Sequence, residues 1–165
     1  MKETCKMLLA NRGVTVFHIA QLVMYLQKPF VSDLKLGTCE RLVEEALEKR
    51  EIQNAILVGI NLDILAEDNK LMPSLNEMMM NDFGGFGCDE SLALAIAGLG
   101  GAIGISNFGF LDRNKVMILK QLDGCHDENI CMTFTDDLVA GIASYVAGEV
   151  AQKYFSDVML NVESK

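Results

Sequence analysis

Basic charge is scarce in this chain. Fourteen Lys and Arg stand against 23 Asp and Glu in 165 residues, a formal net charge of −9. A general nucleic-acid binder needs a basic footprint, so that class is excluded. Passive adsorption to an anionic membrane is disfavoured for the same reason. Paired cysteines are missing too. Cys5, Cys39, Cys88, Cys125 and Cys131 are odd in number and irregular in spacing, and no CxxC occurs. That pattern fits a reducing cytoplasm rather than an oxidising compartment. The opening MKETCKMLLANRG holds too short an apolar stretch for a signal peptide.

Most familiar catalytic motifs are absent as well. The sequence has no Cys-x5-Arg loop, no DxD pair, no Walker loop, no GxSxG elbow and no HExxH. Histidine occurs only twice. His18 falls within an amphipathic segment and reads as an interfacial or surface residue. Cys125, His126 and Cys131 match no common zinc spacing. The three methionines Met78 to Met80 read as core filler or a sticky contact.

What is present is apolar and helical. Half the residues are hydrophobic and 22% are charged, enough to bury a core in one domain spanning 1–165. Val16, Ile19, Ala20, Val23 and Leu26 recur at steps of three and four, with Thr15 as N-cap and Lys28-Pro29 as the stop. A second helix starts at Thr38, a third runs from Ile52 to Ala66, and Pro73 opens a short one through Met80. NDFGGFGC is a loop. Two long apolar helices follow, separated by a shorter helix and a polar loop from Gly124 to Asn129. No run alternates with period two, so the fold class is all-α: a compact multi-helix bundle with a central apolar helix surrounded by others. Ser91 to Leu111 carries no charge but five glycines. It reads as a buried core helix rather than a membrane span, and is the candidate for part of the centre.

Two acidic doublets stand out. Asp89-Glu90 introduces one long apolar segment and Asp136-Asp137 the other, while Asp112 ends the first. Taken singly, each doublet is explained by capping, with Thr135 as a cap and first-turn acids complementing the helix dipole. Together they suggest more. Carboxylates gathered in a partly buried place repel, and a hard divalent cation compensates them. Mg²⁺ prefers oxygen ligands and keeps several waters, so a few aspartates and a phosphate oxygen would complete its octahedron.

The runs CDESLALAI, FGFLDRNKVMILKQLD and TDDLVAGI resemble the signature of the phosphatidylglycerophosphatase A family. RGVTVFHIAQLVMYLQKP and KREIQNAILVGINLDILAED are similar to its soluble branch in Bacillus-type bacteria. The resemblance implies a Mg²⁺-dependent phosphatase that converts phosphatidylglycerophosphate to phosphatidylglycerol. It implicates Asp89, Glu90, Asp112, Lys115, Asp136 and Asp137, with Asp123 less directly matched. In that reading Asp89, Asp112, Asp136 and Asp137 are metal ligands. Lys115 pairs with the phosphate of a phospholipid substrate, and Glu90 is a general base for an attacking water. A covalent aspartyl-phosphate fits the same residue types. Membrane members carry an arginine at the position of Gly109 and a proline at that of Val116. Two rival readings stand beside the lipid phosphatase: a non-catalytic helical oligomer that keeps the fold, and a phosphatase for a soluble phosphate monoester. Ten methionines and the large apolar content point to a homo-oligomer. The lipid substrate implies transient contact with the inner face of the membrane.

Overall fold

The apolar periodicities become helices. The computed structural model describes residues 1–123 and 129–163, and among them no strand occurs. The elements are α1 (Lys2–Asn11), α2 (Val16–Gln27), α3 (Leu36–Ala46), α4 (Arg50–Glu67), α5 (Pro73–Met80), α6 (Cys88–Gly98), α7 (Gly101–Asn114), α8 (Ile118–Asp123) and α9 (Thr135–Glu163). The polar loop expected from Gly124 to Asn129 lies outside the described residues, Asn129 excepted.

Local chemistry sets several boundaries as expected. The Thr15 hydroxyl accepts from the His18 amide while His18 Nδ1 accepts from the Thr15 amide, a reciprocal cap that opens α2. Pro73 stands in the first turn of α5, where its missing N–H costs nothing. α3 begins at Leu36, two residues before the expected Thr38. α1 was not anticipated; Cys5 and Leu9 are its buried residues.

The apolar run from Ser91 to Leu111 is not one helix. It divides at Leu99–Gly101. Leu99 and Gly100 close α6 with short bonds to the carbonyls of Ile96 and Ala97, and Gly101 adopts φ +68, a conformation open to glycine at little cost. The chain doubles back, and α6 and α7 form a hairpin on α9.

The centre of the bundle is therefore α9 rather than the Ser91–Leu111 run. Every residue from Thr133 to Gly148 is buried, and α2, α3, α4, α6, α7 and α8 all pack against this one helix. A helix apolar on all sides belongs at such a place. Small residues make the crowding possible. A Cβ on Gly141 would lie 2.7 Å from the Ala93 carbonyl oxygen, and one on Gly148 would lie 2.6 Å from that of Gly100. At Gly104 it would lie 2.1 Å from the Ala97 carbonyl oxygen. Backbone meets backbone along this seam.

Those contacts also fix direction. Ala93 lies against Gly141 and Gly100 against Gly148, so α6 runs parallel to α9. Gln152 reaches Gly100 at one end of α9 while Lys115 reaches Asp136 at the other, so α7 runs antiparallel. The N-termini of α6 and α9 and the C-terminus of α7 thus share one end of the bundle. Among the described residues no single helix is long and apolar enough to cross a bilayer. The pair α1 and α2 passes by length and composition but is bent by 86°.

A carboxylate cluster at the shared helix ends

Parallel packing of α6 and α9 brings the two acidic doublets side by side. Each sits in a helical first turn, where unpaired amides and the dipole favour negative charge. Asp89, Asp136 and Asp137 are buried, and Glu90 is half-buried. Asp89, Glu90 and Asp137 each offer a carboxylate oxygen within 4.8 Å of the others. Asp89 Oδ1 and Glu90 Oε2 are buried without a hydrogen-bond partner. A buried carboxylate oxygen left so is costly, and a hard cation would satisfy both. The donor set is all oxygen, which suits Mg²⁺.

Lys115 caps α7 in the left-handed region at φ 41, and that turn aims its side chain back across the end of α9. Its ammonium lies 2.7 Å from Asp136 Oδ2, 3.0 Å from Asp137 Oδ1 and 2.9 Å from Asp112 Oδ1. Of the residues marked out from the sequence, Asp112 and Asp136 therefore meet on the lysine. Asp89, Glu90 and Asp137 form the tight oxygen cluster, and Asp137 belongs to both groups. Asp123 lies at the margin, lining with Asp82, Thr133 and Asp136 a cavity of about 40 Å³.

The electrostatics follow from burial and crowding. Burial, then interaction with Glu90, lifts Asp89 to about 7. Burial lifts Asp136 to about 6 against the pull of Lys115. Burial and the neighbouring Asp136 carboxylate lift Asp137 to about 8. Burial alone would lower Lys115, but Asp136 and Asp137 outweigh it and hold its pKa above the ordinary value. Acids outnumber bases at this end of the bundle, and burial and mutual repulsion favour their neutral forms over an uncompensated cluster of charges.

Two acids at this end of the bundle escaped the sequence reading. Asp82, at φ 44 in the glycine-rich turn before α6, is exposed at the surface, yet partial desolvation raises its carboxyl, and it interacts electrostatically with Lys115, Asp123 and Glu90. Phe86, four residues on, packs edge-to-face on Phe134 at 5.9 Å and ties this turn to the start of α9. The signal was an acid at the head of a loop three glycines long, which has no periodicity to mark it. Asp63 is the second. It is fully buried on α4 and accepts from the amides of Phe134 and Thr135, each at 3.0 Å, and from the Thr135 hydroxyl at 2.7 Å. The cap of α9 is thus an aspartate from another helix, with Thr135 as its donor. Nearby, Glu67 accepts from the Cys131 amide at 2.9 Å and pairs with Arg12, whose guanidinium also reaches the Cys131 carbonyl. Spacing held the clue: Ile56, Gly59, Ile60 and Asp63 share one helical face, so the acid continues an apolar stripe.

Asp63 makes a pH prediction. Burial raises its carboxyl from 3.8 to about 6, while the hydrogen bonds from Phe134 and Thr135 and the charge of Arg12 oppose the rise. A carboxyl raised on folding binds its proton more tightly in the native state, so its contribution to stability falls as pH climbs from about 4 to about 6 and is level above that. The interval from 3.8 to about 6 corresponds to about 3 kcal/mol. Denaturant unfolding of the wild type and Asp63→Asn should show their stability difference shifting against the wild type by up to that amount between pH 4 and 6. A difference constant across this range would contradict the assignment.

Comparison with known proteins follows the same lines. Residues 8–152 match the family model of phosphatidylglycerophosphatase A. The uncharacterized protein YutG of Bacillus subtilis is 40% identical over 153 residues, which cover 93% of this chain and 92% of that one. The crystal structure of the low temperature requirement C protein from Listeria monocytogenes superposes with a TM-score of 0.89 at 40% identity, covering 93% of this chain and 96% of that one. The crystal structure of ypjQ from Bacillus subtilis gives 0.88 at 38% identity, with 94% and 95% covered.

Proposed function

The chain belongs to the phosphatidylglycerophosphatase A family, and on that premise we propose that it is a Mg²⁺-dependent phosphatase removing the terminal phosphate of phosphatidylglycerophosphate to give phosphatidylglycerol. The observation that supports this reading best is the pair of unpartnered, buried oxygens on Asp89 and Glu90, gathered with Asp137 into one ligand-sized cluster. Asp89, Glu90 and Asp137 would hold the ion. When bound, Mg²⁺ supplies a Lewis acid that neutralises charge on the phosphate and its leaving oxygen.

The chain's own groups do the rest. Phosphate-monoester hydrolysis is intrinsically among the slowest reactions, and a protein helps chiefly by positioning and charge. Lys115 provides a fixed point charge for the phosphate, its direction held by Asp112 and Asp136. Glu90 is the half-buried member of the oxygen cluster, and its access to solvent would suit it to accept the proton of an attacking water. Where membrane members carry an arginine, a Cβ on Gly109 would meet nothing within 4 Å.

The test is phosphate release from phosphatidylglycerophosphate in mixed micelles, with and without Mg²⁺, beside glycerol 3-phosphate. Mg²⁺-dependent release from the lipid alone is the expected result. Release from the soluble ester alone would move the activity to small phosphate monoesters. Release from neither would leave a helical protein that keeps the fold without the reaction.

A further inference from the structure

Lys115 has no hydrogen-bond donor left to offer. An ammonium carries three N–H groups and accepts nothing. Around this one stand three oxygens from three different acids: Asp136 Oδ2 at 2.7 Å, Asp112 Oδ1 at 2.9 Å and Asp137 Oδ1 at 3.0 Å. Donors and acceptors match one to one. A phosphate monoester presents strong acceptor oxygens and needs donors to hold it. In the ion-free chain the lysine suited to that task is committed to the protein's own carboxylates. Their charge opposes the phosphate as well, since Asp89 and Glu90 lie beside Asp137 and add to the three acids on the ammonium.

The three acceptors are not equivalent. Asp137 also belongs to the oxygen cluster with Asp89 and Glu90, whereas Asp112 and Asp136 do not. A cation held by that cluster therefore competes with Lys115 for Asp137 and leaves the other two acids to the lysine. Neighbouring positive charges repel, and the one free to shift is the tip of a side chain that is 22% exposed. We infer that Lys115 exchanges one partner for another. Asp137 passes from the ammonium to the ion, and the N–H so released receives the phosphate. Asp112 and Asp136 stay in place and keep the ammonium aimed. This inference rests on the phosphatase reading and adds an order of binding to it: ion first, phosphate second. The ion-free chain is closed to phosphate by its own lysine.

Inorganic phosphate is the probe, because it binds without being hydrolysed. Titrated by calorimetry into the full chain, it should bind the Mg²⁺-loaded wild type about tenfold or more tighter than the ion-free one, the worth of one charge-assisted hydrogen bond. Direct contact between Mg²⁺ and phosphate would give the same rise, so the donor count is tested without the ion. Asp112→Ala removes one acceptor of Lys115, while Asp82→Asn removes a charge that reaches Lys115 through its field alone. Asp112 is half-buried in the last turn of α7, where an acid opposes the helix dipole, so its loss should leave the fold intact. Ion-free Asp112→Ala should bind phosphate about tenfold tighter than the ion-free wild type. Ion-free Asp82→Asn should bind it as weakly as the wild type does. Nuclear magnetic resonance of the ¹⁵N-lysine-labelled chain follows the ammonium itself, its signal identified by its loss in Lys115→Arg. Mg²⁺ alone should speed exchange of the Lys115 ammonium protons with water about tenfold, and phosphate added afterwards should slow it again. Equal phosphate affinity in ion-free Asp112→Ala and Asp82→Asn would overturn the inference. So would a Lys115 signal that Mg²⁺ leaves unchanged while raising the thermal midpoint, a result the phosphatase reading would survive. If Mg²⁺ altered neither midpoint nor signal, the phosphatase reading and the inference would fall together.

Discussion

Asp137→Asn should reduce Mg²⁺-dependent phosphate release by about a hundredfold to a thousandfold while leaving the helices in place, a loss of the size seen when a single preorganised electrostatic group is removed. The reason lies in the residue's double membership. Asp137 shares the oxygen cluster with Asp89 and Glu90 and also receives Lys115 at 3.0 Å. Asparagine keeps the shape but removes the charge that an ion and an ammonium both use. The fold should not suffer, because one of two adjacent buried carboxylates has gone and the repulsion that lifts Asp137 to about 8 goes with it. Magnesium should raise the thermal midpoint of the wild type, since a ligand that binds only the folded form stabilises it, and should not raise that of the variant. Turnover equal to the wild type would take Asp137 out of the site. A loss of activity together with a full Mg²⁺-induced rise would place its role elsewhere than in holding the ion.

Lys115→Ala should have the largest effect on stability. The ammonium is mostly shielded and is the shared partner of Asp112, Asp136 and Asp137. Its removal leaves the last two buried and uncompensated, and breaking such an arrangement from one side costs about 3 kcal/mol or more. For a chain of this size that is a fall in thermal midpoint of about 6–12 °C. The cost comes from the stranded acids, so Lys115→Ala combined with Asp136→Asn should recover part of it, a non-additivity that a double-mutant cycle measures directly. If the single variant melted with the wild type, the three ion pairs would contribute nothing to the folded state.

How far the sequence foretold these results differs from one element to the next. Apolar periodicity located α2 and α4, and a first-turn proline located α5. The Ser91–Leu111 run defeated the same method. Nothing in its composition shows that Gly101 takes a positive φ, since the reason for the turn is the backbone of α9 lying against Gly100. The choice of central helix failed with it: two apolar segments were available, and only the packing of six neighbours distinguishes them. At the cluster, residue types and the family resemblance brought out Asp89, Glu90, Asp112, Lys115, Asp136 and Asp137. They could not divide these into an oxygen triad and a lysine-centred group, because that division depends on the direction Lys115 takes from its left-handed turn. Asp63 was legible in principle, as a charge in register with an apolar face, but its partners lie about seventy positions away in the chain.

The place of α9 in the chain has one more consequence. All the helices it joins precede it, and until it is available α2, α6 and α7 have no common surface on which to bury their apolar stripes. During synthesis the earlier segments therefore leave the ribosome as a string of half-wet helices, and closure waits for residues beyond Thr135. The same event carries Asp136 and Asp137 to Asp89 and Lys115. Compaction and assembly of the carboxylate cluster are a single step, and a nascent chain halted before α9 has neither.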